Sequence, residues 1–227
     1  MTLQLLTATG ARPEAFALCH RWMQAQTYTG KVLWIVVDDG QTPSRLSMMP
    51  DNWEQVVIRP KTLWQPGQNT QARNLLAGLD VCIKNDPLAI IEDDDYYSPD
   101  WLNCVTNNLA SADLVGECRA RYYNIVLKRG RQLSNTKHAS LCSTAMSGNA
   151  IKAFRKACES RTKFIDLALW KSNMSKRLFS GNHVVGIKGL PGRGGIGMGH
   201  RDDFTGKHDA DGSLLHEWIG DDARYYL

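Results

Sequence analysis

Residues Lys31–Gly40 read KVLWIVVDDG, and the fold is decided there. Six apolar residues follow one another without alternation, then two carboxylates and a glycine. A strand of this kind is expected to be buried on both faces, as in a parallel sheet covered by helices. Its surroundings agree. LQLLTAT (Leu3–Thr9) reads as a first strand, and Pro13 opens a helical pattern, EAFALCHRWMQAQ. EQVVIRP reads as a short third strand. NTQARNLLAGLDVCIKN reads as a helix capped by Asn69 or Thr70, and LAIIEDDD as the next strand. Strands alternating with helices imply an α/β fold, Rossmann-like, with a mostly parallel sheet flanked by helices.

The second half is less regular. SPDWLNCVTNNLA predicts a helix with Ser98 as cap and Pro99 at its first position. ADLVGECRARYYNIVLKRGRQL predicts strands around a turn at Arg129–Gly130, and SGNAIKAFRKACES a helix. Six glycines between Gly189 and Gly199 predict a mobile loop. The 227 residues are expected to form one domain, with residues 1–102 and 103–227 as its two halves.

Composition narrows the classes. A hydrophobic content of 43% with 22% charge is globular, and no apolar run reaches the ~18–20 residues that span a bilayer. The N-terminus lacks the pattern of a secretory signal, so a cytoplasmic protein with reduced thiols is expected. The six cysteines have neither zinc-ligand spacing nor a C-x-x-C pair. The net charge of +4 is unevenly spread: residues 1–100 hold 8 basic and 12 acidic groups, residues 101–227 hold 19 and 11. A basic second half suits an anionic partner, or simply a solvated surface.

Carboxylates crowd the ends of two strands: Asp38–Asp39, and Glu92–Asp95 in AIIEDDDYYSPDWL. Ligands of open α/β sheets bind beyond these ends. In an extended segment Glu92 and Asp94 share one side, Asp93 and Asp95 the other. Either pair offers hard oxygen ligands to Mn²⁺ or Mg²⁺, which offsets their mutual repulsion.

The succession TATGARPE, VVDDGQTP, QARNLLAG and EDDDYYSPDWL resembles the nucleotide-sugar half of GT-A-fold glycosyltransferases, especially the inverting D-x-D family. The resemblance implies a nucleoside-diphosphate sugar donor, with uridine as its base. It assigns Thr7, Thr9 and Arg12 to the nucleotide loop, Asp38 and Asp39 to the uracil and ribose side, and Arg73 with Asn74 to the donor. Asp94 matches the metal-binding aspartate, with Glu92 as the other half of the pair; Glu92 and Asp93 also fall beside the donor. KFIDLALWK resembles the segment of the catalytic carboxylate, and Asp166 matches it, although Ile165 replaces the usual preceding glutamate. GRGGIGMGH resembles the C-terminal lid loop whose histidine, here His200, completes the metal site. Arg193 in that loop can add a positive contact. The same loop satisfies G-x-G-x-x-G but opens no apolar helix, so a dinucleotide site is excluded.

Arg119, Arg121, Arg129 and Arg131, interleaved with Tyr122 and Tyr123, suit phosphate contact and base stacking. A small glycosyltransferase with such a face resembles phage enzymes that glycosylate hydroxymethylated pyrimidines in DNA. A DNA acceptor is therefore expected. A glycan or lipid-linked acceptor, a nucleotidyltransferase and a non-catalytic nucleic-acid-binding module are the alternatives.

Overall fold

The computed structural model describes residues 1–160, 163–195, 197 and 199–227. The chain runs β1 (Leu3–Thr9), α1 (Pro13–Gln24), β2 (Val32–Asp38), β3 (Trp53–Ile58), α2 (Gln71–Leu79) and β4 (Leu88–Ile90). It continues through β5 (Tyr96–Tyr97), α3 (Trp101–Leu109), β6 (Leu114–Glu117), β7 (Arg121–Asn124), β8 (Arg129–Gln132) and β9 (Thr144–Met146). Then come α4 (Asn149–Ser160), α5 (Ile165–Trp170), β10 (Lys176–Phe179), β11 (Val184–Lys188), β12 (Lys207–His208) and α6 (Ser213–Ile219).

The central sheet has seven strands in the order β10-β6-β9-β4-β1-β2-β3. β1 pairs in parallel with both β2 and β4, and β2 with β3. β9 runs antiparallel to β4 and β6. Every residue of β2 is buried, as its unbroken apolar run requires. Helices α2, α4 and α5 cover one face through Leu75, Phe154 and Trp170. The other face packs on α1, α3 and a second sheet, β12-β8-β7-β11-β5, around Phe16, Trp34, Trp101 and Tyr123. All six cysteines are free. Among the described residues no helix is long and apolar enough to cross a membrane.

Four local expectations are corrected. Helix α2 stops at Leu79 rather than continuing to Asn85, which adopts a left-handed φ of 70°. Helix α3 starts at Trp101, not Pro99, because the Ser98 hydroxyl is taken by His183 Nδ1 at 2.9 Å. The β7–β8 turn lies at Ile125–Lys128, while Arg129 and Gly130 are inside β8. Gly130 is a packing glycine: a Cβ there would lie 2.6 Å from Leu214 Cδ2 and 3.0 Å from the Trp218 ring. Finally, β4 ends at Ile90, and the acidic run after it is a turn, with the Asp95 amide bonded to the Glu92 carbonyl. The alternation expected for an extended run does not apply to a turn.

Candidate active site

The acidic turn sits at the carboxyl end of β4, beside the loop that leaves β1. Asp93 accepts from the Thr9 hydroxyl and from Arg12, both at 2.8 Å. Asp94 Oδ2 faces three nitrogens: Arg12 Nη1 at 3.4 Å, His200 Nε2 at 3.4 Å and Lys188 Nζ at 3.6 Å. Asp95 Oδ1 accepts from Lys188 Nζ at 2.8 Å and from the Ile187 amide at 3.0 Å. Glu92 turns elsewhere. It accepts from Gln71 Nε2 at 2.7 Å and groups with Asp95 and Cys142, one ligand atom of each lying within 4.8 Å of the others. Glu92 is thus bonded to Gln71, while Asp94 lies beside His200, which the resemblance also placed at the metal site.

Electrostatics separates the four acids. Burial raises the Asp94 carboxyl, but Lys188 and Arg12, with His200 behind them, outweigh it and hold it far below the usual carboxylate range. Burial, then the charge of Asp95, pushes Glu92 well up. Burial also raises Asp93 against Arg12, and Asp95 against Lys188. Asp94 is therefore the firmly ionised member.

One cavity of about 340 Å³ opens over this turn. Thr9, Arg12, Asn74, Glu92, Asp93, Asp94, Lys188, Arg193 and His200 line one side, and Tyr122, His138, Cys142, Phe164 and Asp166 are also on its wall. Asp166 stands in the first turn of α5 and is half-buried. Burial pushes its carboxyl above the ordinary value, against the Leu167 amide and the charge of His138. Phe164, just before α5, takes a left-handed φ of 56° and exposes its ring.

Other residues expected at the donor are tied inward. Thr7 Oγ1 is fully buried and accepts from Trp34 Nε1 at 2.9 Å, so it faces the core. Asp38 closes the following loop: it accepts from the Gly40 and Ser44 amides at 2.9 and 2.7 Å, and pairs with Arg59 at 2.9 Å. Asp39 accepts from the Thr70 hydroxyl, from Arg73 at 2.8 Å and from Arg193 at 3.1 Å. Thr70 therefore spends its hydroxyl on Asp39, and Asn69 Oδ1 accepts from the Gln71 amide at 3.2 Å in its place. Neither Asp38 nor Asp39 reaches the cavity wall.

The glycine-rich loop expected as a lid includes Ile196 and Met198, which lie outside the described residues. Its Arg193 spans Asp39, Thr70 Oγ1 at 2.8 Å and the Trp64 ring, 5.0 Å from its centroid.

The expected acceptor group divides. Tyr123 is fully buried and donates to Asp209 at 2.9 Å, leaving no face for a stacked base. Arg121 is buried with its guanidinium 5.6 Å from the Trp218 ring centroid. Tyr122 reaches the cavity, bonded to Ser140 at 2.7 Å. Arg119, Arg129 and Arg131 are exposed and lie off the cavity wall. Sequence reasoning missed Lys188, Gln71, Cys142 and His138. The one signal for Lys188 was a charge closing the apolar run HVVGIK.

No protein-family model matches the chain, and no curated protein matches it significantly. Solved structures do. The chain is similar to S. aureus TarS, with a TM-score of 0.60 and 11% identity over 82% of this chain and 37% of that one. Residues 1–349 of TarS in complex with UDP give 0.59 and 10%, and in complex with UDP-GlcNAc 0.56 and 9%. These alignments cover 82% of this chain and 60% and 58% of those. The chain thus spans less than two thirds of their length. The likeness is one of fold, and it is the mostly parallel α/β fold that the sequence predicts.

Proposed function

We propose that this chain is a glycosyltransferase that moves a sugar from a nucleoside-diphosphate sugar, a UDP-sugar by analogy with the ligands of its fold neighbours, to an acceptor hydroxyl. One observation carries the reading: a single cavity holds Asp94 beside His200, with Asp166 among its lining residues.

The residues fit a divalent ion. Asp94 Oδ2 and His200 Nε2, 3.4 Å apart on the cavity wall, form an oxygen–nitrogen donor pair suited to Mn²⁺ or Mg²⁺. Bound there, the ion supplies Lewis-acid neutralisation of the departing diphosphate. The chain's own groups do the rest. Asp93, fixed by Thr9 and Arg12, presents an oriented carboxylate to the donor. Arg12 and Arg193 add positive charge. Asp166 takes the proton of the acceptor hydroxyl as it attacks the anomeric carbon, and its raised pKa suits a base.

For the acceptor, the reading is nucleic acid. The β8–β12 ribbon supports it, because Arg129 pairs in register with His208, and Arg131 and Lys207 are also exposed on this edge. Cations of this kind suit a phosphate backbone, while Tyr122 inside the cavity offers a ring to an extruded base.

The test is incubation with a panel of nucleotide sugars and with hydroxymethylated DNA, a glycan and a lipid-linked alcohol, read by mass spectrometry. Sugar added to one acceptor with release of nucleoside diphosphate is expected. Release of pyrophosphate would mean a nucleotidyltransferase, and no turnover of any donor would refute the reading.

A further inference from the structure

Lys188 is a buried cation to which the proposed reaction gives no part. It closes β11, its side chain is only 5% exposed, and yet it lines the cavity. Its ammonium has three protons, and one short bond, to Asp95 Oδ1 at 2.8 Å, accounts for one of them. The next carboxylate, Asp94, is 3.6 Å away, and the Tyr122 ring centroid 5.7 Å. The stem is packed as well. Lys188 pairs in register with Asn124, and Asn124 Nδ2 donates to the Gly199 carbonyl at 2.7 Å. That bond lays the backbone before His200 on the lysine: a Cβ at Gly199 would lie 3.0 Å from Lys188 Cγ.

A packed stem whose head lies on the cavity wall between Asp95 and Asp94 places a positive charge where an anion entering the cavity would meet it. We infer that Lys188 binds the donor's diphosphate, its ammonium resting on Asp95 in the free protein and turning to a phosphate oxygen when the nucleotide enters. Asp95 is its resting partner. The inference rests on the nucleotide-sugar reading, and it adds a leaving-group contact supplied by the chain itself.

Removing Lys188 alone strands two buried carboxylates, so the pair is neutralised together. Replacing both partners of a buried ion pair is tolerated far better than removing one. Asp95→Asn and the double variant Asp95→Asn/Lys188→Met are titrated with UDP and with uridine, with MnCl₂ present throughout. Asp95→Asn is expected to bind both ligands. The double variant is expected to keep uridine and to lose about ten- to a hundredfold in UDP affinity, one charge-assisted hydrogen bond. Equal UDP affinity in the two variants would overturn the inference and leave the nucleotide reading standing. An unmutated chain that binds neither ligand would instead overturn that reading.

Should the double variant not fold, the unmutated chain decides the matter. Lys188, the one deeply buried lysine among the described residues, gives a solvent-protected ¹⁵N side-chain resonance, expected to move with UDP and stay still with uridine. A resonance that UDP leaves unmoved would overturn the proposal.

Discussion

Arg12 and Arg193, far apart in the chain, are tied by two bonds: Arg12 Nε donates to the Arg193 carbonyl at 2.7 Å, and the Arg193 amide donates to the carbonyl of Ala11, the residue before Arg12, at 2.9 Å. The loop after β1 and the glycine-rich segment therefore form one wall. Arg193→Ala removes the side-chain ties to Asp39 and Thr70 and keeps the backbone bonds. Losing a charge-assisted bond of about 1.5–3 kcal/mol should lower hydrogen-exchange protection at Ala11–Arg12 and at Arg193 roughly ten- to hundredfold. Unchanged protection would mean that the backbone bonds alone hold the wall.

Asp94 is the carboxylate held ionised chiefly by Lys188 and Arg12, so its charge rather than its volume is what the site needs. Asp94→Asn should reduce transfer by more than about a hundredfold and abolish Mn²⁺ binding, while circular dichroism stays unchanged. Arg12 and Lys188 keep Asp93 and Asp95 as partners, which limits the loss of stability. Full transfer in excess chelator would refute the metal's part in this.

Asp166→Asn keeps the shape of the cavity wall and removes the base. Transfer should fall about 10²–10⁴-fold with UDP affinity unchanged. The base must be ionised, so in the unmutated chain kcat/KM should rise with pH through the raised Asp166 pKa. That acidic limb should vanish in the variant. A collapse of UDP affinity would instead make Asp166 a donor contact.

Glu117 gives a pH dependence that has nothing to do with catalysis. Burial raises its carboxyl from 4.5 to about 7, against the charge of Arg121 and the His183 and Val184 amides. The folded chain therefore holds this proton to higher pH than the unfolded chain does. Its effect favours the folded state least at high pH: stability should fall by roughly 3 kcal/mol between pH 4.5 and 7 and then level off. Urea unfolding across this range, compared with Glu117→Gln, isolates the slope. Equal slopes in the two proteins would remove Glu117 as its source.

If the acceptor is nucleic acid, the exposed Arg129 and Arg131 meet phosphates. Neutralising both to Gln should weaken DNA binding across sequences and flatten its salt dependence by about two counterions. Donor hydrolysis should not change. A chain that ignores DNA at low salt while glycosylating a glycan or lipid alcohol would refute the acceptor and leave the donor site intact.

The strands were legible where burial is complete. β1 is found where LQLLTAT places it, and β2 coincides with its apolar run, because no other element buries six apolar residues in a row so simply. Glycine misled at Gly130: its dipeptide with Arg129 reads as a turn, whereas the residue is there to admit Leu214 and Trp218, more than 80 positions away. The acidic run misled for a related reason. Alternation separates Glu92 from Asp93 only in an extended chain, and this chain turns as soon as β4 ends. Asp94, Asp166 and His200 were expected at the site through the family resemblance, and all three line the cavity. Lys188 was not, since its place on the cavity wall is set by where β11 meets the acidic turn, and no local pattern encodes that meeting.

The antiparallel β9 has a consequence for how the chain is made. Among the described residues it is the only bridge in the central sheet between β4 and β6, so residues 1–102 leave the ribosome with the inner edge of β4 bare until Thr144–Met146 arrive. Closing the sheet thus awaits a contact between residues more than fifty positions apart, which slows folding and leaves a sticky strand edge open in the meantime. A nascent chain of this length should lean on a chaperone, and the first half expressed alone should aggregate instead of forming a nucleotide-binding unit.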